Sequence, residues 1–486
     1  MSSSVVALTV IFGIIVFGAG VGFYAGARHK MSLEQWTVGG RGFGLLLVWL
    51  LMAGEVYTTF SFLGASGWAY SRGGPTLYII AYLTLGRAVY FHVQPYIWEV
   101  GRKFKMQTQP DFFERRYGSK YLAAFVAVVG FVFLIPYLQL QLTGLGIIVE
   151  AASFAGISRP LAMVIAFALV AAFVFTSGVR GVAWVSILKD VLMLLVVFFI
   201  GIGLPYIYFH GIGPMFTALI QAKPAHLLLP GATKDMGHAW YISTVFMASL
   251  GGLMWPNLFA TSFTAKSGNT LRRSAVVMTA YNIILPLIFF VGFTAILVIP
   301  GLKNGDLALL ALVRKTYPAW LLGVIGGTGA LTAMVPAAYY ILAAATLFAK
   351  NFFRTLFAPS MTDDQVAKLA KRMVLVVTGM ALYFAIYSST TLVYLLLIGF
   401  AGVSQFFPGV VLGLWWKRVT MPGVFTGIVV GVAIASFLML TKRDPFMGIN
   451  AGFLALCLNM VATVVVSLGT RFQPSGFEEH GQGSVA

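Results

Sequence analysis

The sequence predicts an all-α polytopic membrane protein, and three observations carry that expectation. Of 486 residues, 59% are hydrophobic and only 9% are charged, against about 25% charged in a soluble domain. Apolar runs longer than about 18 residues recur from end to end, each long enough to cross a bilayer as a helix. The runs do not alternate apolar and polar residues as the strands of a transmembrane barrel would. Backbone facing lipid must satisfy its own hydrogen bonds, which leaves helices.

Setting apolar runs against basic or Gly/Pro breaks gives about 13 spans. They are expected at 5–27, 43–71, 75–100, 119–149, 160–178, 181–208, 238–264, 272–299, 317–350, 370–387, 389–416, 421–441 and 447–469. The first run lacks a basic n-region and an A-x-A cleavage pattern, so a retained helix is expected there rather than a removed signal. The longest stretches between spans, 209–237 and 351–369, are too short for a soluble domain. The tail after Arg471 is polar and expected to be disordered.

The net charge is +18. In a soluble protein that excess would point to nucleic acid. Here the basic residues crowd into loops, roughly 21 in one set against roughly 9 in the other. The richer set includes Arg28, Lys30, Arg41, Arg102, Lys103 and Lys266. It is expected on the cytoplasmic face of a bacterial inner membrane, with the N-terminus outside and the C-terminus inside. The partners expected are the bilayer and a small molecule, not nucleic acid. The single cysteine, Cys457, excludes a disulfide framework.

Charges inside spans are costly and mark candidate function. Glu55 follows Gly54 and precedes Thr58, Thr59 and Ser61. A glycine, a carboxylate and three hydroxyls in mid-span predict an interrupted helix lining a polar cavity. Lys189 falls about 12 Å into the span 181–208 at the helical rise. A lysine at that depth either pairs with an anion, gives up its proton, or snorkels along its own stem. Asp190 is adjacent but points elsewhere on a helix, so a partner on another helix is expected for it. Arg87 and His92, five apart in the third span, are expected to make structural pairs. Trp255-Pro256-Asn257, preceded by Gly251 and Gly252, predicts a second break, and Gln139 and Gln141 are further polar candidates. No H-E-x-x-H, P-loop or G-x-S-x-G motif is present, so a transporter is expected rather than an enzyme, with no cofactor and no metal site.

Several segments resemble those of the solute:sodium symporter family. Trp36-Thr37-Val38-Gly39-Gly40-Arg41 is similar to the segment before that family's first core helix, and Phe62-Leu63-Gly64 through Tyr70 to the end of it. Gln109-Pro110-Asp111-Phe112-Phe113-Glu114-Arg115-Arg116-Tyr117, Ser177-Gly178-Val179-Arg180-Gly181-Val182-Ala183-Trp184 and Ala345-Thr346-Leu347-Phe348-Ala349-Lys350-Asn351 resemble three later motifs. The resemblance implies the LeuT fold. It divides the chain into an extra helix and loop (1–42), a first inverted repeat of five helices (43–208), a loop (209–237), a second repeat (238–416), two extra helices (417–470) and a tail (471–486).

The departures from the family pattern are informative. The resemblance implies a sodium ion held by backbone carbonyls of the first core helix, here Ala53 and Val56, and by two hydroxyls of the eighth. Those hydroxyls fall on Met334-Val335-Pro336. A nearby family aspartate falls on Ser186, and a glutamine falls on Lys189. Sodium needs oxygen ligands, and this chain has lost three side-chain oxygens there and gained an ammonium. The expectation is that Lys189 replaces the ion and that protonation of Lys189 or Glu55 couples transport to a proton gradient. The substrate-facing side chains expected are Thr58, Thr59, Ser61, Gln139, Trp255 and Asn257. A small monocarboxylate such as lactate, pyruvate or acetate is the substrate class favoured, since broken-helix N-termini and a lysine both favour an anion. The alternatives are sodium-coupled uptake of an amino acid such as proline, and a transporter-like membrane sensor.

Overall fold

The structure is a computed structural model that describes residues 2–27, 38–154, 156–388, 390–471 and 475–477, with the side chains of 25–27 and 175–180 excluded. Arg28, Lys30, Trp36, Thr37 and most of the tail therefore lie outside the described residues, as do the side chains of Ser177 and Arg180. In chain order the helices are α1 (Ser3–Ala27), α2 (Leu45–Val56), α3 (Ala65–Ser71), α4 (Tyr78–Lys103), α5 (Gln109–Tyr117), α6 (Lys120–Ala152), α7 (Arg159–Phe209), α8 (Ile212–Ala222), α9 (His238–Gly251) and α10 (Pro256–Thr261). They continue as α11 (Gly268–Tyr281), α12 (Ile284–Val298), α13 (Ala308–Thr316), α14 (Ala319–Thr346), α15 (Asp363–Tyr387), α16 (Leu392–Val403), α17 (Phe407–Trp415), α18 (Met421–Leu440) and α19 (Ala451–Gly469).

Ten helices among the described residues are long and apolar enough to cross a membrane, and counting two bent pairs as one span each brings the number to 12. A further apolar helix, Arg159–Val174, stands where the expected span 160–178 falls. Both expected spans have an apolar counterpart, Arg159–Val174 and Gly181–Phe209, within the one long helix α7 of 51 residues. A straight rod of that length would reach about 76 Å. Yet Arg314 lies over the ring of Phe154, just before α7, while Tyr317 packs on Phe199 near its other end. One short segment meets both ends, so α7 folds back on itself and supplies two crossings.

Small residues set the close packing of the remaining spans, as membrane helices require. Gly323, Gly326 and Gly327 of α14 bring that helix against Val10, Ile11 and Ile14 of α1. Gly423 and Gly427 of α18 do the same for Ser467, Thr463 and Asn459 of α19.

Two spans are bent in mid-membrane. The halves Leu45–Val56 and Phe60–Ser71 meet at 56°, and His238–Met254 and Pro256–Thr264 meet at 50°. In the second, Pro256 forces the residue before it out of the helical region, and Trp255 accordingly has φ −58° and ψ 127°. The first has no proline; Tyr57 leaves the helix at φ −92°, ψ 91°. Phe43 N–H donates to the Thr264 carbonyl at 2.9 Å, and Lys266 N–H donates to that of Phe43 at 3.0 Å. The start of one bent span is thus clamped to the end of the other. At the far end Trp68 packs on Trp240, with centroids 6.1 Å apart. The two bent spans therefore run side by side in opposite directions.

Candidate functional site

The first break retains its polar groups through its own hydroxyls. Thr58 N–H donates to Ser61 Oγ at 2.9 Å, Ser61 Oγ donates back to the Thr58 carbonyl at 3.0 Å, and Phe60 N–H donates to Thr58 Oγ1 at 3.2 Å. Thr58 Oγ1 is also 3.1 Å from the Tyr137 hydroxyl, and Thr59 Oγ1 donates to Gln141 Oε1 at 2.7 Å. Three hydroxyls expected to face substrate thus repair an interrupted helix and pin it to α6.

Lys189, fully buried on α7, reaches across the same break. Its Nζ donates to the Tyr57 carbonyl at 2.9 Å and to the Ala53 carbonyl at 3.4 Å, and lies 2.7 Å from Asp190 Oδ1. An ammonium has three N–H donors, and here each has an acceptor. One expectation changes and another is extended. The second carbonyl is that of Tyr57 rather than Val56, because the chain turns at Tyr57 and Val56 faces the central cavity. Asp190 has the partner expected on another helix, Tyr281 of α11, whose hydroxyl donates to Oδ1 at 3.4 Å. It pairs with Lys189 as well, because the flexible four-carbon stem curls back toward its sequence neighbour. Ser186 gives its hydroxyl to the Val182 carbonyl at 2.9 Å and packs on Gly54, where an added Cβ would come within 2.6 Å of Ser186 Oγ. Met334, Val335 and Pro336 are buried on α14, and Val335 completes the apolar contact around Gly54.

Glu55, 2% exposed, joins the two bent spans. Asn257 Nδ2 donates to its Oε2 and the Thr261 hydroxyl to its Oε1, both at 2.7 Å. Thr261 Oγ1 is also 3.0 Å from the Tyr339 hydroxyl. The cluster stands between two cavities. The central one, with about 30 Å³ of open room, is lined by Glu55, Arg87, Tyr90, Tyr137, Trp255 and Phe400 among others. The other, also with about 30 Å³ of open room, is lined by Asn257, Tyr339, Gln107 and Thr108, on the side of the basic loops.

Of the six side chains expected at the substrate, only Trp255 lines the central cavity. Its ring packs on Tyr137, Tyr340 and Phe400, with centroids 5.1, 5.7 and 5.4 Å away. Asn257 lines the second cavity. Gln139 lies against neither, is 5% exposed, and its Nε2 has no hydrogen-bond partner among the described residues. His92 is exposed on the flank of α4, 5.2 Å from the Phe91 ring. Sequence reasoning missed the cavity's aromatic wall of Tyr82, Tyr90, Tyr137, Tyr340 and Phe400, and it assigned Arg87 to a structural pair. The structure gives Arg87 a place in the cavity wall and no ion-pair partner among the described residues. The intramembrane-charge signal was present in the sequence; what was missing was the direction in which Arg87 points. No group of His, Cys, Asp and Glu able to hold a metal occurs among the described residues.

A family model, the sodium:solute symporter family, matches residues 36–431. An uncharacterized symporter of Bacillus subtilis (strain 168), YhjB, is 41% identical over 478 residues, covering 96% of this chain and 97% of its own length. A monocarboxylate transport permease protein of Rhizobium johnstonii is 28% identical over 480 residues, covering 95% of this chain and 96% of its own. Among solved structures, the substrate-bound outward-open state of a Na⁺-coupled sialic acid symporter has a TM-score of 0.80 at 18% identity, over 97% of this chain and 98% of that one. The nucleobase-cation-symport-1 transporter Mhp1, closed with bromovinylhydantoin bound, has a TM-score of 0.56 at 13% identity, over 91% and 94%. These likenesses bear out the all-helical LeuT-type membrane fold.

Proposed function

The chain belongs to the sodium:solute symporter family, and on that premise we propose that it imports a small monocarboxylate of the lactate, pyruvate or acetate kind by alternating access. Lys189 stands in for the family's sodium ion, and protonation at Lys189 or Glu55 drives uptake. The observation that carries the coupling is the Lys189 ammonium on the carbonyls of Ala53 and Tyr57. These oxygens would otherwise call for a cation at the helix break, and the lysine answers them with Asp190 balancing its charge. Loss of the Lys189 proton would remove one of its three donors and the charge that Asp190 balances, weakening the tie between α7 and the bent span. That gives protonation a direct hold on the relative position of two helices.

The substrate class is supported by a central cavity that is largely aromatic yet holds a cation, Arg87, and by the similarity to a monocarboxylate permease. Glu55 and its donors, between the two cavities, serve as the partition that opens toward the second cavity when the bent spans separate. In this reading the repeats are 43–208 and 238–416, the basic loops face the cytoplasm across the inner membrane, the N-terminus is outside and the C-terminus inside.

A second reading, uptake of an amino acid such as proline, draws on the presence of both Glu55 and Arg87 at one cavity, a charge pattern complementary to a zwitterion. The test is uptake of labelled lactate or pyruvate into proteoliposomes, comparing an inward proton gradient in sodium-free buffer with a sodium gradient. Protein-free liposomes correct for undissociated acid crossing unaided. Saturable uptake on the proton gradient alone is the expected result. A strict sodium requirement would overturn the role given to Lys189, and proline uptake without lactate or pyruvate uptake would favour the second reading.

A further inference from the structure

Arg87 lies near the middle of α4, is 5% exposed, and lines the central cavity. A guanidinium stays charged under all physiological conditions and offers five N–H donors. None of its nitrogens makes a hydrogen bond of normal geometry to the described residues, and it takes part in none of the ion pairs among them. Its neighbours are aromatic. Its carbon Cζ lies 5.0 Å from the centroid of the Tyr90 ring, and the hydroxyl of Tyr57, which donates its proton to Asn282, is close by.

The other buried charges of this region are answered. Lys189 has Asp190 and two carbonyls, and Glu55 has Asn257 and Thr261. Leaving a charge buried and unpaired costs several kcal/mol, and a fold keeps one only where something else repays it. An anion entering the cavity would do so. A carboxylate is the natural match, because the guanidinium fork binds its two oxygens side by side. The wall around it, with Trp255, Leu396 and Phe400, suits a short apolar body. The room open in this cavity is only about 30 Å³, so its walls must draw apart to admit even a short acid. Glu55 in the same wall, whenever it is ionised, would repel a second carboxylate.

We propose that Arg87 docks the carboxylate of the transported solute, and that the site accepts one carboxylate and rejects a dicarboxylate. The inference rests on the reading that the central cavity is the substrate site, and it assigns that site its anchor.

The experiment uses the wild-type chain, Arg87→Gln and Arg87→Lys in proteoliposomes. The probes are lactate, pyruvate, acetate, proline and succinate, with lactamide and pyruvamide as uncharged competitors. In the wild type the amides should compete about 30-fold or more weakly than the acids, the loss expected when a buried charge goes unpaired, and succinate should not compete. Arg87→Gln should raise KM by a similar factor and abolish the preference for acid over amide. Arg87→Lys keeps the charge, so it serves if the glutamine variant does not fold. Its KM should still rise several-fold, because a point charge replaces the fork. A KM and an acid-to-amide preference equal to wild type in a folded variant would overturn the assignment. Succinate uptake would overturn the single-carboxylate limit. Wild-type uptake of proline alone would overturn the monocarboxylate reading and leave Arg87 to be judged by the variants on proline. Uptake of none of the acids would overturn both.

Discussion

Lys189 and Arg87 are both cations buried in the same helical bundle, and their surroundings are opposite. The Lys189 ammonium has an acceptor for each proton, one of them a carboxylate at 2.7 Å, and it lines neither of the two cavities beside Glu55. Arg87 makes no ion pair among the described residues and opens onto the central cavity. The difference separates two uses of a buried charge. A saturated cation ties elements of the protein together and changes their relation only when its proton leaves. An unsaturated one waits for a ligand. The type of residue suits each use: lysine releases a proton when its surroundings change, and arginine does not.

The most severe way to break this comparison is to remove the lysine. Lys189→Met leaves Asp190 buried without its counter-ion, an expected loss of about 3–5 kcal/mol, and uptake should vanish at every pH. The double variant Lys189→Met/Asp190→Asn removes the orphaned charge with the lysine. It should regain most of the lost thermal stability while its uptake no longer responds to a proton gradient. Should the double variant concentrate substrate on a proton gradient as well as wild type does, Lys189 would be a structural tie alone.

How legible this pair was in the sequence follows from what a one-dimensional pattern encodes. The spans, the break at Trp255-Pro256 and the break near Gly54-Glu55 were all readable, because apolar length, proline geometry and mid-span polar residues are local properties. That Lys189 answers a missing cation is an expectation from resemblance, and the lysine does reach the Ala53 carbonyl as that expectation requires. The rest depends on directions that the sequence does not carry. Asp190 reads as facing away from Lys189 by helical spacing, yet a flexible stem brings the charges together. Thr58, Thr59 and Ser61 read as cavity hydroxyls, but an interrupted helix has unpaired backbone groups close at hand, and those claim the hydroxyls first. Arg87 reads as one more in-span charge until its side chain is seen against the cavity.

Glu55 sharpens the comparison, since it shares the cavity with Arg87 but is satisfied as Lys189 is. Glu55→Gln keeps the size and an oxygen for one of the two donors, Asn257 or Thr261, and cannot ionise. If Glu55 carries the moving proton, gradient-driven accumulation should fall to background while exchange of labelled for unlabelled substrate across the membrane continues. That split between accumulation and exchange is the measurement. Loss of both in a well-folded variant would make the carboxylate a structural link between the bent spans, and full retention of both would remove it from the mechanism.

The smallest effect is expected at a third cation, Lys350, which is paired like Lys189 but near the bundle's edge. Its Nζ lies 2.6 Å from Asp111 Oδ2 at the start of α5, with relative exposures of 18% and 14%. The same carboxylate accepts from Asn351 Nδ2 at 2.8 Å and from the N–H groups of Gln107 and Thr108 at 2.8 and 3.0 Å. Burial alone would push the Asp111 carboxyl upward, but the Lys350 ammonium and these donors outweigh it and hold the group below its ordinary value. A carboxylate lowered on folding stabilises the fold above its unfolded pKa of about 3.9, and that contribution is lost as pH falls through the lower folded value. Asp111→Asn should therefore melt a few degrees below wild type near neutral pH, roughly the shift for a kcal/mol or two, with the gap closing as pH drops under about 4. Melting curves across that range decide it. A gap that stays constant with pH would mean that shape and hydrogen bonding, rather than charge, fix α5 to the segment that follows α14. In that case a paired cation near the edge of the bundle would contribute little through its charge, and the contrast between Lys189 and Arg87 would hold only for the deeply buried sites.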